Sequence, residues 1–282
     1  MQHPVLVPHL PRLRSFLGVV DPVSLFSLAV VTLAVGVALF GEWLAPYHFS
    51  AQNLTNSLQP PSWQHLFGTD QFGRDILSRV MMGCRSIVGL ATASSLLAVI
   101  LGGGSGMIAA YWGGVVDEVL MRATDLLFCF PSMLLALLIV SALGSEMVYL
   151  ILCIGVIFAP GVARVVRGVV IDLKTREFLE AARMIGSSDP RILRRELLPN
   201  LLTWLLVELT LYFGYAILLS SSLGFLGLGV QPPSPDWGAQ ISEGRDWLVA
   251  APWIVLFPAL AISTLVVAVN LLADRWMATL RR

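Results

Sequence analysis

Charge is what this sequence has least of. Asp, Glu, Lys and Arg together make up 13% of its 282 residues, too few to cover a soluble globule of that length. Lysine is almost missing. Lys174 is the sole example, and it stands after Leu173 rather than inside G-x-x-x-x-G-K-[ST]. The chain therefore carries no P-loop, and any ATP it uses is bound by another subunit. The cysteines are Cys84, Cys129 and Cys153, with no C-x-x-C pair. All lie in or beside apolar runs, so they are expected as buried small apolar residues and not as disulfides or metal ligands. Four scattered histidines include no H-E-x-x-H, and no metal set is assigned. A formal net charge of +0 gives no footprint for nucleic acid. No nucleophile with a base and no paired carboxylates emerge, so no catalytic residue is assigned.

Apolar sequence is what the chain has in quantity. It is 56% hydrophobic, with mean hydropathy +0.79, which predicts an all-α integral membrane protein. Six runs are long enough to cross a bilayer. They fall at about 23–44, 87–110, 120–143, 147–165, 201–222 and 252–273. The third contains Pro131, an expected kink. The first is longer than the apolar core of most cleaved signal peptides, and a retained span is expected. The implied organisation is a segment 1–21, a first span with its following loop over 22–84, a core over 85–275 and a tail over 276–282.

The longest charge-dense stretch lies between the fourth and fifth runs. It reads R-E-F-L-E-A-A-R-M-I-G-S-S-D-P-R-I-L-R-R-E-L-L-P-N from Arg176 to Asn200. Phe178, Leu179, Ala182 and Ile185 recur at helical spacing and predict one apolar face. Gly186 suits a left-handed cap. Ser187, Ser188 and Asp189 can cap a second short helix, with Pro190 in its first turn. The spacing of Glu180-Ala181-Ala182, Gly186 and Leu198-Pro199 resembles the EAA loop of ABC-type importer permeases, although Glu196 stands where that family usually has Ile. The resemblance implies that this loop, about 166–200, is cytoplasmic and docks on an ATPase subunit. Glu180, Ala181, Ala182, Gly186, Asp189, Arg191, Leu198 and Pro199 are the implied coupling residues. Read without the resemblance, the stretch is an amphipathic connecting loop.

Two other segments extend the likeness. Gly68-Thr69-Asp70-Gln71-Phe72-Gly73-Arg74-Asp75 resembles the G-T-D-x-x-G-R-D segment of dipeptide, oligopeptide and nickel permeases. Asp70, Gly73, Arg74 and Asp75 are expected as a structural motif, a compact set of ion pairs beside a short amphipathic helix. Phe225 to Gly238 resembles the F-L-G-L-G-x-x-P-P-x-P-x-W-G segment of the same subfamily. Over about 66–275 the chain is similar to the C-type permease subunit of such importers, with a type I ABC importer permease fold. That likeness implies a second homologous permease, two ATP-binding subunits holding ATP and Mg, and a periplasmic or lipid-anchored solute-binding protein. It implies no cofactor on this chain. Di- or oligopeptide is the expected cargo, nickel or a metallophore the alternative. An ATP-independent channel or carrier is the rival of another class.

Orientation follows from charge. With the N-terminus inside, only Arg74, Arg79, Arg85 and Arg245 fall outside among all Lys and Arg. The positive-inside rule thus places both termini and the central loop in the cytoplasm, and the resemblance implies the cell inner (cytoplasmic) membrane. Glu208 is the acidic residue expected well inside a span, where an ionisable group is costly. It either lines the path or pairs with a partner subunit, or is held protonated. Ser220 and Asn270 are further path candidates, with interhelical hydrogen bonding the other reading of Asn270. Trp43, Trp63, Trp237, Trp247 and Trp253 are expected as interfacial anchors.

Overall fold

The apolar runs become helices because backbone polar groups in hydrocarbon must be satisfied within the segment. The computed structural model describes residues 22–231 and 234–280. The 1–21 segment, Pro232, Pro233, Arg281 and Arg282 lie outside the described residues. Among the described residues no strand occurs, only an isolated antiparallel bridge between Thr69 and Asp75. The elements are α1 (Pro22–Leu44), α2 (Ile76–Trp112), α3 (Gly114–Phe128), α4 (Ser132–Leu143) and α5 (Met147–Leu173). They continue with α6 (Glu177–Met184), α7 (Asp189–Ile192), α8 (Leu198–Phe225), α9 (Trp237–Gly244) and α10 (Trp253–Leu280).

Among the described residues five helices are long and apolar enough to cross a membrane, and six if the broken pair α3–α4 counts as one. That pair corrects the expected third span. Instead of a mild kink at Pro131, the axis turns by 86°. Pro131 cannot continue a ladder from the preceding turn, and Cys129 and Phe130 there are exposed. Cys129 is thus not the buried residue expected of it, whereas Cys84 and Cys153 are buried. Most helices also outrun their apolar cores. The second starts eleven residues before Ile87, at Ile76, and α10 takes in most of the stretch read as a tail.

The core is built on α2 and α5, which pack more extensively than any other pair. They run parallel. A Cβ built on Gly155 would meet Leu97, one on Gly102 would meet the Ala159 carbonyl oxygen at 2.2 Å, and one on Gly106 that of Ala163 at 2.3 Å. Glycine there permits the close approach that holds helices together in lipid. Around this pair α4, α8 and α10 bury Ala136, Val140, Ile217, Leu223, Leu265 and Val269. Helix α1 packs chiefly along α2 and α10 and stays exposed on most of its surface.

Because α2 and α5 are parallel, the molecule has two distinct ends. The end where α2 begins carries the loops 45–75 and 226–252 and is called the cap end. The other carries α6 and α7 and is called the loop end.

Candidate functional site

At the loop end, α5 continues to Leu173 and leaves only about fifteen residues before α7. Residues 166–173 therefore belong to a helix and not to the loop expected from 166. Helix α6 buries Leu179 and Ala182 among Val166, Val170, Ile192, Leu197 and Leu201. The expected apolar face is only half used for packing. Phe178 is exposed, and Met184 and Ile185 are 89% and 82% exposed. Two large apolar side chains thus stand free at the tip of a helix whose other side is anchored.

The turn after α6 has the geometry its glycine allows. Gly186 has φ +77. Its N–H donates to the Arg183 carbonyl (2.9 Å), and the Ser187 N–H reaches back to Ala182 (3.1 Å). These are the two reversed bonds of a Schellman cap. A Cβ on Gly186 would meet nothing within 4 Å, so the backbone conformation alone requires glycine here. Beyond it, Ser188 occupies the cap position of α7 without a side-chain bond. The Asp189 carboxylate does not cap either. It accepts from the Tyr111 hydroxyl at 2.6 Å.

The second short helix is not free-standing. Helix α7 passes through a π-helical turn, Leu193–Leu197, directly into α8. Pro199 supplies the reason. It has no N–H for the carbonyl four residues back and its ring crowds that carbonyl, and a widened turn accommodates both. Asn200 uses its side-chain amide to satisfy the Glu196 carbonyl at 2.6 Å. Leu198 and Pro199 therefore open the α8 crossing, with Glu180, Ala181, Arg191 and Pro199 exposed around the corner.

Sequence reasoning missed what fastens this corner. Lys174 donates to the carbonyls of Ala110 and Tyr111, both at 2.9 Å. These are last-turn acceptors of α2, left without intrahelical partners. The Arg183 guanidinium lies 5.7 Å from the Tyr111 ring centroid. The available signal was the solitary lysine. Nearby, Arg167 grips Asp117 through two bonds of 2.6 Å, and Arg164 reaches Asp125 at 2.6 Å, tying α3 to α5.

At the cap end, the two further motifs meet each other. Asp70 is buried and accepts from the Phe72 and Arg74 N–H groups and, at 2.5 Å, from Arg74 Nε. Arg74 then reaches Glu243 on α9 at 2.6 Å, and Arg79 reaches the same oxygen at 3.2 Å. Gly73 has φ +68 with the Asn53 backbone against it. Asp75 departs from the expected ion-pair set. It accepts from Ser78 to cap α2, and its other oxygen lies 3.0 Å from His65 Nδ1. The expected short amphipathic helix is simply the first turns of α2.

Two of the tryptophans also depart from expectation. Trp237 is buried and donates to the Val80 carbonyl at 2.8 Å, and Trp253 donates to the Thr69 carbonyl at 3.1 Å. Both are internal struts of the cap, whereas Trp43, Trp63 and Trp247 are exposed. Gln240 adds donors to the Arg79 and Pro235 carbonyls. Asp236 caps α9 by accepting from the Ala239 N–H at 2.8 Å. Burial pushes its carboxyl up to about 6, against the pull of that backbone bond.

Glu208 is 8% exposed on α8. Tyr212, one turn on, lies on the same face. Ser220 is buried, and Asn270 on α10 lies against Gly214. Among the described residues no hydrogen bond or ion pair joins any two of Glu208, Ser220 and Asn270. Twelve residues of α8, about 18 Å, separate the first two.

Comparison with known proteins adds three findings. Residues 98–282 match the family described as binding-protein-dependent transport system inner membrane component. Residues 20–61 match the N-terminal TM domain of oligopeptide transport permease C. The chain is 42% identical over 252 residues to the glutathione transport system permease protein GsiD of Escherichia coli O6:K15:H31 (strain 536 / UPEC), covering 86% of this chain and 81% of that one. The same figures hold for GsiD of Shigella boydii serotype 4 (strain Sb227). Among solved structures, the inward-facing MetNI methionine ABC transporter is similar in fold, with TM-score 0.59 and 17% identity over 73% of this chain and 98% of that one.

Proposed function

The chain belongs to the binding-protein-dependent transport inner-membrane family, as an ABC importer permease subunit of its peptide/nickel branch, and from that premise we propose how it works and what it carries. The α6–α7 corner docks on an ATP-binding subunit. The observation that carries this is the pairing of Met184 and Ile185, free at the tip, with Leu179 and Ala182, fixed in the core. A helix held on one side and apolar on the other can accept a push without yielding. Glu180, Ala181, Gly186, Asp189 and Arg191 shape that surface, and Leu198-Pro199 begin the helix that receives the motion.

In this reading ATP and Mg are held by two partner subunits, and a second homologous permease completes the path. A solute-binding protein delivers cargo to the cap end, which faces the periplasm, while the loop end and both termini are cytoplasmic. Closure of the ATPase pair moves the corner, and the helices reopen to the other side. Glu208, Ser220 and Asn270 line the path, the buried carboxyl of Glu208 being the group best suited to meet a cationic part of the cargo. The cargo is a small peptide. Support comes from relatives named for transport of glutathione, itself a short peptide.

The test is reconstitution in proteoliposomes with the permease partner, both ATP-binding subunits and the binding protein. Labelled glutathione and a dipeptide should accumulate only with ATP and Mg. Accumulation of a nickel chelate but of neither peptide would move the cargo to the metal branch. Uptake unaffected by omitting the ATP-binding subunits would make the chain a channel or carrier.

A further inference from the structure

We propose that Lys174, together with the Tyr111–Asp189 bond, is the tie that makes the C-terminal end of α2 travel with the coupling corner as one body. This rests on the reading that the corner docks on an ATP-binding subunit. Three observations carry it. Helix α2 ends at Trp112 with Gly113 turning the chain away at φ +67, and the Gly113 N–H satisfies only the Ala109 carbonyl. The next two carbonyls, of Ala110 and Tyr111, are both taken by Lys174 Nζ at 2.9 Å. Lys174 is also the residue that closes α5, its own N–H donating to Val170 at 2.9 Å. One side chain thus joins the ends of the two parallel helices at the point where the chain leaves for α6.

The tie has a second strand. The Tyr111 hydroxyl holds Asp189, at the start of α7, at 2.6 Å, and Arg183 from the end of α6 lies over the same ring. Both sides of the corner are therefore fastened to the last turn of α2. The residue type fits the task. A compact ammonium with freely rotating donors sits between two carbonyls, whereas the guanidinium found at all the other Lys/Arg positions of the chain is bulkier and spreads its donors over a rigid planar fork. Lys174 is a positioning residue here and touches no cargo.

The experiment uses the complete reconstituted complex with spin labels on Trp112→Cys and Glu177→Cys, in a background where Cys84, Cys129 and Cys153 are Ser. The distance is read with and without ATP and Mg. With Lys174 in place the distance should be single and unchanged by nucleotide. Lys174→Met should broaden it or make it shift with nucleotide, while both ATP-binding subunits stay bound and still hydrolyse ATP. Lys174→Arg should fall between. Tyr111→Phe, which removes only the hydroxyl, should broaden the distribution to a smaller degree, and it carries the test should Lys174→Met not insert. A distance that moves with nucleotide in the parent complex, or a Lys174→Met or Tyr111→Phe complex indistinguishable from it, overturns the tie. Loss of the ATP-binding subunits from Lys174→Met alone also overturns it, since the lysine would then shape the docking surface itself. Failure of the parent complex to retain those subunits overturns the docking reading instead.

Discussion

Gly186 is where a single residue matters most. Its backbone is left-handed, with φ +77, and open space surrounds the place where a side chain would start. A substitution there is penalised by conformation alone. For a β-branched residue this amounts to about 1–3 kcal/mol, paid locally or relieved by opening the Schellman turn. Gly186→Val should therefore reach the membrane at normal levels, because insertion depends on apolar runs far from this turn. Its α6 tip should be displaced. Hydrolysis stimulated by substrate and uptake should both fall severely, while Gly186→Asn, which tolerates left-handed backbone, keeps most of each. Immunoblotting of membranes beside ATPase and uptake assays checks this. Full uptake by the valine variant would remove the corner from the coupling path.

Between elements, the cap end depends on contacts between motifs far apart in the chain. Glu243 receives Arg74, just before α2, and Arg79, in its first turn, so Glu243→Gln leaves the two guanidiniums to share Asp70 alone. A loss of roughly 1–3 kcal/mol is expected, read as a lower unfolding midpoint in detergent, and Arg74→Met should cost less in the Glu243→Gln chain than in the parent. An additive double variant would show that the bridge contributes nothing. Asp236 makes a pH-dependent counterpart. Its folded pKa, about 6, is above the ordinary 3.8. The folded state therefore binds the proton more tightly, and the stability tied to this group is present below about pH 4 and lost as pH rises through 6. Asp236→Asn keeps an acceptor for the Ala239 N–H and removes that titration. It should match the parent at pH 4 and exceed it by about 3 kcal/mol at neutral pH. A midpoint difference that does not change with pH would refute the assignment. The three motifs were legible in the sequence because their residues are contiguous. Their meeting was not. Nothing local to Glu243, Gln240 or His65 announces a partner 169, 161 or 10 residues away, and Trp237 and Trp253 look like interfacial residues until their indole N–H groups are seen on the Val80 and Thr69 carbonyls.

At the scale of the whole molecule, the apolar runs give the spans but composition cannot distinguish a straight crossing from a broken one. The 120–143 run has the hydropathy of a span, yet α3 and α4 are 15 and 12 residues long, about 22 and 18 Å. Each is too short for a hydrocarbon core of about 30 Å, and they meet at 86°. Whether they cross together is decided by α2 and α5. These are parallel, since Leu97, Gly102 and Gly106 meet Gly155, Ala159 and Ala163 in the same order. The chain leaves α2 at the loop end and must enter α5 at the cap end, so the stretch between must traverse the membrane. The side chains suggest how the work is divided. Asp117 and Asp125 hold Arg167 and Arg164, which keeps α3 at the charged loop end. Helix α4 buries Ala136 and Val140 beside Leu150 and Ile154, within the first turns of α5. A reporter fused after Ser145 should therefore be active only outside the cytoplasm, and one fused after Arg282 only inside, giving six crossings. Cytoplasmic activity at Ser145 would make α3–α4 a re-entrant hairpin, reduce the crossings to five and place the C-terminus opposite the N-terminus. The parallel packing of α2 and α5 could not survive that result.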